Sequence, residues 1–158
     1  MRPALDIVMV ATFFLGRIMK KEIKIKLVST VEELTDAGLV DSSDRTEAVH
    51  LATLAERDGI VRIEYSESTE GGPLTTVITA RGERVTLIRH GVIESDFSFE
   101  VGIVHKSLYK MPPYAFDAQI NPIRVKNALI DGGELTLVYE MTLGGAKKRV
   151  KMALTVIA

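Results

Sequence analysis

The sequence predicts an all-β protein, a single closed antiparallel barrel of about eight to ten strands. Three observations carry that expectation. From Asp58 onward, apolar and polar residues alternate along one short run after another, the period of a strand with one buried face. Tight-turn sequences separate the runs: Asp58-Gly59, Arg81-Gly82, Asp131-Gly132-Gly133 and Gly144-Gly145. No stretch sustains a helical period beyond roughly two turns, and no internal repeat or domain boundary interrupts the pattern.

Taken in order, Glu22–Leu27 reads as the first strand, with Ile23, Ile25 and Leu27 on one face and Lys24 and Lys26 on the other. Val31–Arg45 is polar, acidic and serine-bearing and contains Gly38, so it reads as a long surface loop with at most a helical turn at Val31–Ala37. Glu47–Glu56 and Gly59–Ser66 form a hairpin about Asp58-Gly59, its second arm turning Val61, Ile63 and Tyr65 inward. After the break at Glu70-Gly71-Gly72-Pro73 comes the hairpin over residues 74–90, and Gly91 leads into Val92–Glu100, where Ile93, Phe97 and Phe99 share a face. Val101–Leu108 is a weaker strand. Met111-Pro112-Pro113 is a break, because neither proline can donate to a ladder. Tyr114–Asn121 resumes the alternation with Tyr114, Phe116, Ala118 and Ile120 inward, and Ile123–Leu129 is a further candidate strand. Glu134–Leu143 and Lys147–Ile157 make the last hairpin, with Leu135, Leu137, Tyr139 and Met141 matched to Val150, Met152, Leu154 and Val156.

The first eighteen residues require a separate reading. Ile7–Leu15 is apolar but far short of the roughly 20 residues a membrane-spanning helix needs. Asp6 abuts that run, and no small-x-small cleavage site follows it, so a secretory signal does not fit. Met1–Ile18 therefore reads as an N-terminal extension produced by start-codon choice, with translation beginning at Met19 and the barrel occupying residues 19–158.

Composition narrows the function classes. With 46% apolar and 26% charged residues the chain is ordinary for a globular domain, and a formal net charge of -1 gives no global pull toward nucleic acid. Cysteine is absent, which excludes disulfides, thiolate metal sites and a cysteine nucleophile, and a cytoplasmic location is expected. His50, His90 and His105 have no metal-ligand spacing, so neither metal nor cofactor is expected.

Several segments match a known pattern. Gly59–Glu67, the glycine-containing break, Leu74–Val77 and Val85–Arg89-x-Gly91 are followed by His105-Lys106-Ser107-Leu108-Tyr109-x-x-Pro112-Pro113-Tyr114-x-Phe116 and Gly132-Gly133-Glu134-Leu135-x-Leu137-x-Tyr139. In this order they resemble the YwiB-like family of bacterial proteins of unknown function, over about Met19 to Val156. The resemblance implies a lipocalin-type, calycin-like barrel and no particular activity. Two departures stand out: Pro113 and Ala115 flank Tyr114 where the family has one proline and a glycine, and Val31–Arg45 is longer than the family's loop.

Three sets of residues are candidates for function. An interior set, Arg89, His105, Tyr65, Tyr109, Tyr114 and Tyr139, can bind a small partly apolar or anionic molecule, with Arg89 facing the barrel end as a carboxylate or phosphate clamp. The alternative role for Arg89 is an internal ion pair with Glu100 or Asp117. An outward basic set, Lys24, Lys26, Lys147, Arg149 and Lys151, lies on the first and last strands, which are neighbours in a closed barrel. That face can dock a protein or RNA, but it lacks stacking aromatics and reads more readily as edge protection. Ser107 near His105 is the third set; without a nucleophile turn it does not make a hydrolase. The leading expectation is a non-catalytic binding barrel, with a homodimer through an exposed strand edge as a further expectation.

Overall fold

The computed structural model describes residues 19–157, so the extension Met1–Ile18 and its start-codon reading lie outside the described residues. Ten strands follow one another: β1 Met19–Leu34, β2 Val40–Arg57, β3 Ile60–Thr69, β4 Gly72–Arg81, β5 Arg84–Gly91, β6 Ser95–Phe99, β7 His105–Met111, β8 Tyr114–Ala128, β9 Glu134–Leu143 and β10 Ala146–Val156. One helical turn, α1 Leu129–Gly132, connects β8 to β9. The strands form one antiparallel sheet in the order β6-β5-β4-β3-β2-β1-β10-β9-β8-β7. Sequence neighbours pair everywhere except between β6 and β7, and β1 joins β10 from Ile25↔Val156 to Glu33↔Lys148, which curls the sheet into a barrel. The remaining free edges, β6 and β7, meet at a seam where the backbone pairing is a single β-bridge, Glu94↔Lys110.

Alternation explains where the core sits. Val61, Ala80, Val85 and Phe99 lie opposite one another across β3–β6 and form one inward layer. Ile63, Ile78, Leu87 and Phe97 form the next. All eight side chains are buried, as are Ile25, Ile120, Leu135, Leu137 and Leu154 on the facing wall. Phe99 is fully enclosed and its ring lies 4.7 Å from that of Tyr139, centroid to centroid, in a tilted pair.

The structure departs from the sequence expectations in four places. Val31–Arg45 is not a surface loop: β1 runs to Leu34, β2 starts at Val40, and the two pair along that length. The real turn is Thr35–Leu39, where the Thr35 amide donates to the Leu39 carbonyl at 2.8 Å and Gly38 takes φ +82. Polar residues dominate both faces of this tip because β2 is exposed there on both faces, which erases the alternation on which the reading depends. Second, Val101–Val104 is a turn, and β7 starts only at His105. Third, Tyr114 is not inward: it is 60% exposed at the hairpin end and stacks on Phe116 with centroids 6.3 Å apart. Fourth, Tyr114–Asn121 and Ile123–Leu129 are one continuous strand up to Ala128. Pro122 is accommodated there because the register slips between Pro122 and Arg124, a bulge that relieves the ladder where proline has no amide to donate.

Candidate functional site: a polar layer beneath the β6–β7 seam

One step along the barrel from the two apolar layers, the inward residues change chemistry. On the same register line, β3 offers Tyr65, β4 Thr76, β5 Arg89 and β6 Ser95. Period-two alternation fixes this line: each residue lies two positions from its apolar counterpart Ile63, Ile78, Leu87 or Phe97. Across the seam, β7 adds His105, Ser107 and Tyr109, which alternate onto one half-buried face. Tyr109 stacks on Phe97 with centroids 6.3 Å apart.

Within this layer, four buried side-chain polar atoms have no hydrogen-bond partner among the described residues: Thr76 Oγ1, Arg89 Nε, Ser95 Oγ and Ser107 Oγ. Thr76 is fully buried and Ser95 is 6% exposed. Buried polar groups are ordinarily satisfied, and leaving one bare costs about 1–3 kcal/mol. Among the described residues Arg89 forms no ion pair: Glu100, one of its expected partners, instead receives Arg84 Nε at 3.0 Å. A cleft of about 380 Å³ at the seam is lined by Arg89, Ser95 and Ser107 together with Ile88, Leu108, the cationic Lys110, His90, and two carboxylates, Glu94 and Asp96. A larger hollow of about 600 Å³ lies among Leu54, Glu56, α1 and Val156, but none of the unpartnered buried atoms faces it.

The tyrosines register the field of Arg89. Burial pushes the Tyr139 phenol up to about 12, and the Arg89 charge pulls against that shift. Burial likewise raises Tyr65, opposed by the neighbouring Thr76 hydroxyl and by Arg89; the hydroxyl lies close without reaching ordinary hydrogen-bond geometry. A phenol whose folded pKa exceeds its unfolded value of 10.0 adds stability below that pH and loses it as pH rises toward about 12. Tyr139→Phe is therefore expected to remove alkaline destabilisation of about 2–3 kcal/mol over that interval. Urea unfolding followed from pH 9 to 12 tests this; equal alkaline slopes for the two proteins would count against it.

The seam depends on Glu94 in two ways. Its backbone exchanges two hydrogen bonds with Lys110, each 2.9 Å. Its carboxylate accepts the Gly91 amide at 2.9 Å and meets His90 Nδ1 at 3.0 Å, with the amide contributing most to holding its pKa below the usual value. Gly91 itself must be glycine: its φ is +134, and a Cβ there would run into the Pro73 carbonyl oxygen. A depressed carboxylate stabilises the fold above its unfolded pKa of 4.5, and that contribution disappears as pH falls through the folded value. Amide exchange at Glu94 and Lys110, corrected for intrinsic rates, is expected to accelerate below pH 4.5 in the native chain and to be pH-independent in Glu94→Gln. The same acid limb in both would refute that role.

The structure thus brings together Arg89, Tyr65, Tyr139, Tyr109 and His105, and it sets Tyr114 apart. His105 points inward but is anchored to β6, with Nε2 2.8 Å from the Asp96 carbonyl oxygen. Tyr114 lies outside the barrel interior. Thr76, Ser95 and Ser107 belong to the layer, and of these only Ser107 stands in a recognisable sequence context, two residues from His105. Their parity with Ile78, Phe97 and Tyr109 was the available signal.

The outward cations do lie on paired strands β1 and β10, but not in one cluster. Lys151 stands opposite Thr30, six residues along β1 from Lys24, about 20 Å away at strand rise. Lys26 pairs with Glu47 at 3.2 Å, and Arg149 lies 3.6 Å from Glu32 and 3.2 Å from Glu140. Lys147 is exposed near the β9–β10 turn. Among the described residues no group of three His, Asp or Glu side chains converges as metal ligands, and no helix is long and apolar enough to cross a membrane.

Fold and site define a ten-stranded antiparallel barrel with an apolar core and one polar inner layer. The chain belongs to the family described as a domain of unknown function, DUF1934, which it matches over residues 28–154. Its fold is that of the ywiB protein from Bacillus subtilis, whose crystal structure it matches with a TM-score of 0.68 and 16% sequence identity, covering 88% of this chain and 96% of that one. Comparison with curated proteins gives no match.

Proposed function

We propose that the barrel is a non-catalytic binding protein for a small, partly apolar molecule bearing an anionic head. The observation behind this reading is the set of unpartnered buried donors around Arg89: Thr76, Ser95 and Ser107 offer hydroxyls and Arg89 a guanidinium with no carboxylate paired to it. A carboxylate satisfies such a set, because it accepts several hydrogen bonds and matches guanidinium geometry. Ile88 and Leu108 supply apolar surface in the cleft, and a volume of about 380 Å³ is in the range of small-molecule sites. Binding is preferred to catalysis because the Ser107 hydroxyl has no base on it, while the His105 ring is engaged by the Asp96 carbonyl.

Calorimetric titration with octanoate and with the neutral octanamide tests the reading. Octanoate is expected to bind and the amide to bind at least about tenfold more weakly, since a charge-assisted hydrogen bond contributes about 1.5–3 kcal/mol. Equal affinity for the two, or no binding of either, would contradict an anion-selective interior.

A further inference from the structure

Strand β2 has an open side. Its ladder with β1 runs from Glu56 back to Val40, whereas its ladder with β3 holds only from Thr53 to Arg57. From Val40 to Ala52, backbone groups directed away from β1 therefore have no strand partner among the described residues. The two strands part at a small cleft bordered by Leu51, Ala52, Tyr65 and Ser66, where His50 stacks on Tyr65 with centroids 4.5 Å apart. Open edges of this length are normally blunted by proline or by charged side chains, lysine above all. Val40–Ala52 has no proline and no lysine, and its charges, Asp41, Asp44, Arg45 and Glu47, are of both signs and so can pair across a two-fold axis.

We propose that this edge pairs antiparallel with the same edge of a second copy of the chain, about a two-fold axis at Thr46. A two-fold antiparallel ladder is self-complementary, so its axis fixes every pair. Aligning the whole open stretch, Val40 to Ala52, against itself puts the axis at its midpoint, Thr46. In that register Arg45 faces the partner subunit's Glu47, and Glu47 faces the partner subunit's Arg45. Thr46 meets its own symmetry mate. Moving the axis to Glu47 would oppose two carboxylates, and moving it to Arg45 would oppose two guanidinium groups, each destabilising directly across a ladder. Both side chains are exposed on the outer face, where they lie 3.2 Å apart within one chain; Glu47 also meets Lys26 at 3.2 Å, and these exposed pairs can exchange for a bridge to a second chain. Maximal overlap of the open stretch and the charges at Arg45 and Glu47 therefore agree on the axis at Thr46 over its two neighbours.

Native mass spectrometry of the full chain, with the single variants Arg45→Glu and Glu47→Arg, tests the proposal. The unaltered protein is expected to be a dimer. Each variant, carrying two like-charged pairs across the axis, is expected to have its dissociation constant raised at least about tenfold. Mixing the two variants regenerates opposite charges, so a heterodimer is expected to replace both weakened homodimers. Independently of any substitution, amide exchange across Ser42–His50 is expected to slow as protein concentration rises. A monomeric unaltered chain, a dimer indifferent to both variants, or concentration-independent exchange along β2 would overturn the proposal.

Discussion

Arg89→Met is expected to weaken binding of an anionic ligand about tenfold to a hundredfold while leaving the barrel as stable as before, or more so by about 1 kcal/mol. The two effects come from one cause. Arg89 is half-buried with Nε enclosed and unpartnered, and among the described residues no carboxylate pairs with its guanidinium, so the folded protein carries a desolvation cost at that nitrogen. Methionine has a similar length and no such penalty, and it can lie against Leu87 and Phe97 in the adjacent layer. An arginine serving only the fold would behave in the opposite way: its loss would destabilise the protein and leave binding unaffected. Chemical denaturation alongside octanoate titration separates the cases. A variant that loses stability and keeps its octanoate affinity would refute the assignment of Arg89.

Phe99→Ala is expected to destabilise the barrel by about 3–5 kcal/mol, a large part of the 5–15 kcal/mol typical of a domain. Phe99 is fully buried, pairs with Val85 across the ladder and tilts onto Tyr139 from the other wall, so its removal leaves a cavity bounded on both sides. Backbone pairing at β5 and β6 holds these walls in place and limits collapse into the gap. Urea midpoints with an unchanged denaturant slope would measure the loss directly. A change below about 1 kcal/mol would mean that the interior repacks freely and that the layers described for this barrel are not rigid.

What the sequence discloses depends on whether one face of a strand is dry. In β3, β4, β5 and β9 the inner face is buried and the outer wet, so parity alone places Tyr65, Arg89 and Tyr139 inside. The tip of the β1–β2 hairpin is wet on β2's two faces, so paired backbone there has the composition of a loop. Tyr114 follows the correct alternation but sits where the strand projects past the interior, a limit set by barrel height and not by local sequence. For the outer cations parity and adjacency were readable; the stagger between β1 and β10, which separates Lys24 from Lys151, is a register and has no local signature. Thr76 and Ser95 went unnoticed because small hydroxyl residues are common in strands. They acquire meaning only when the pairing places them beside an unpartnered arginine.

The most direct test of the binding account is native mass spectrometry of the protein purified from its own host, beside the Arg89→Met variant and a denatured control. The account predicts a bound small acid on the unaltered chain that is released on denaturation and absent from the variant. The same adduct on both proteins, or none on either, would contradict it.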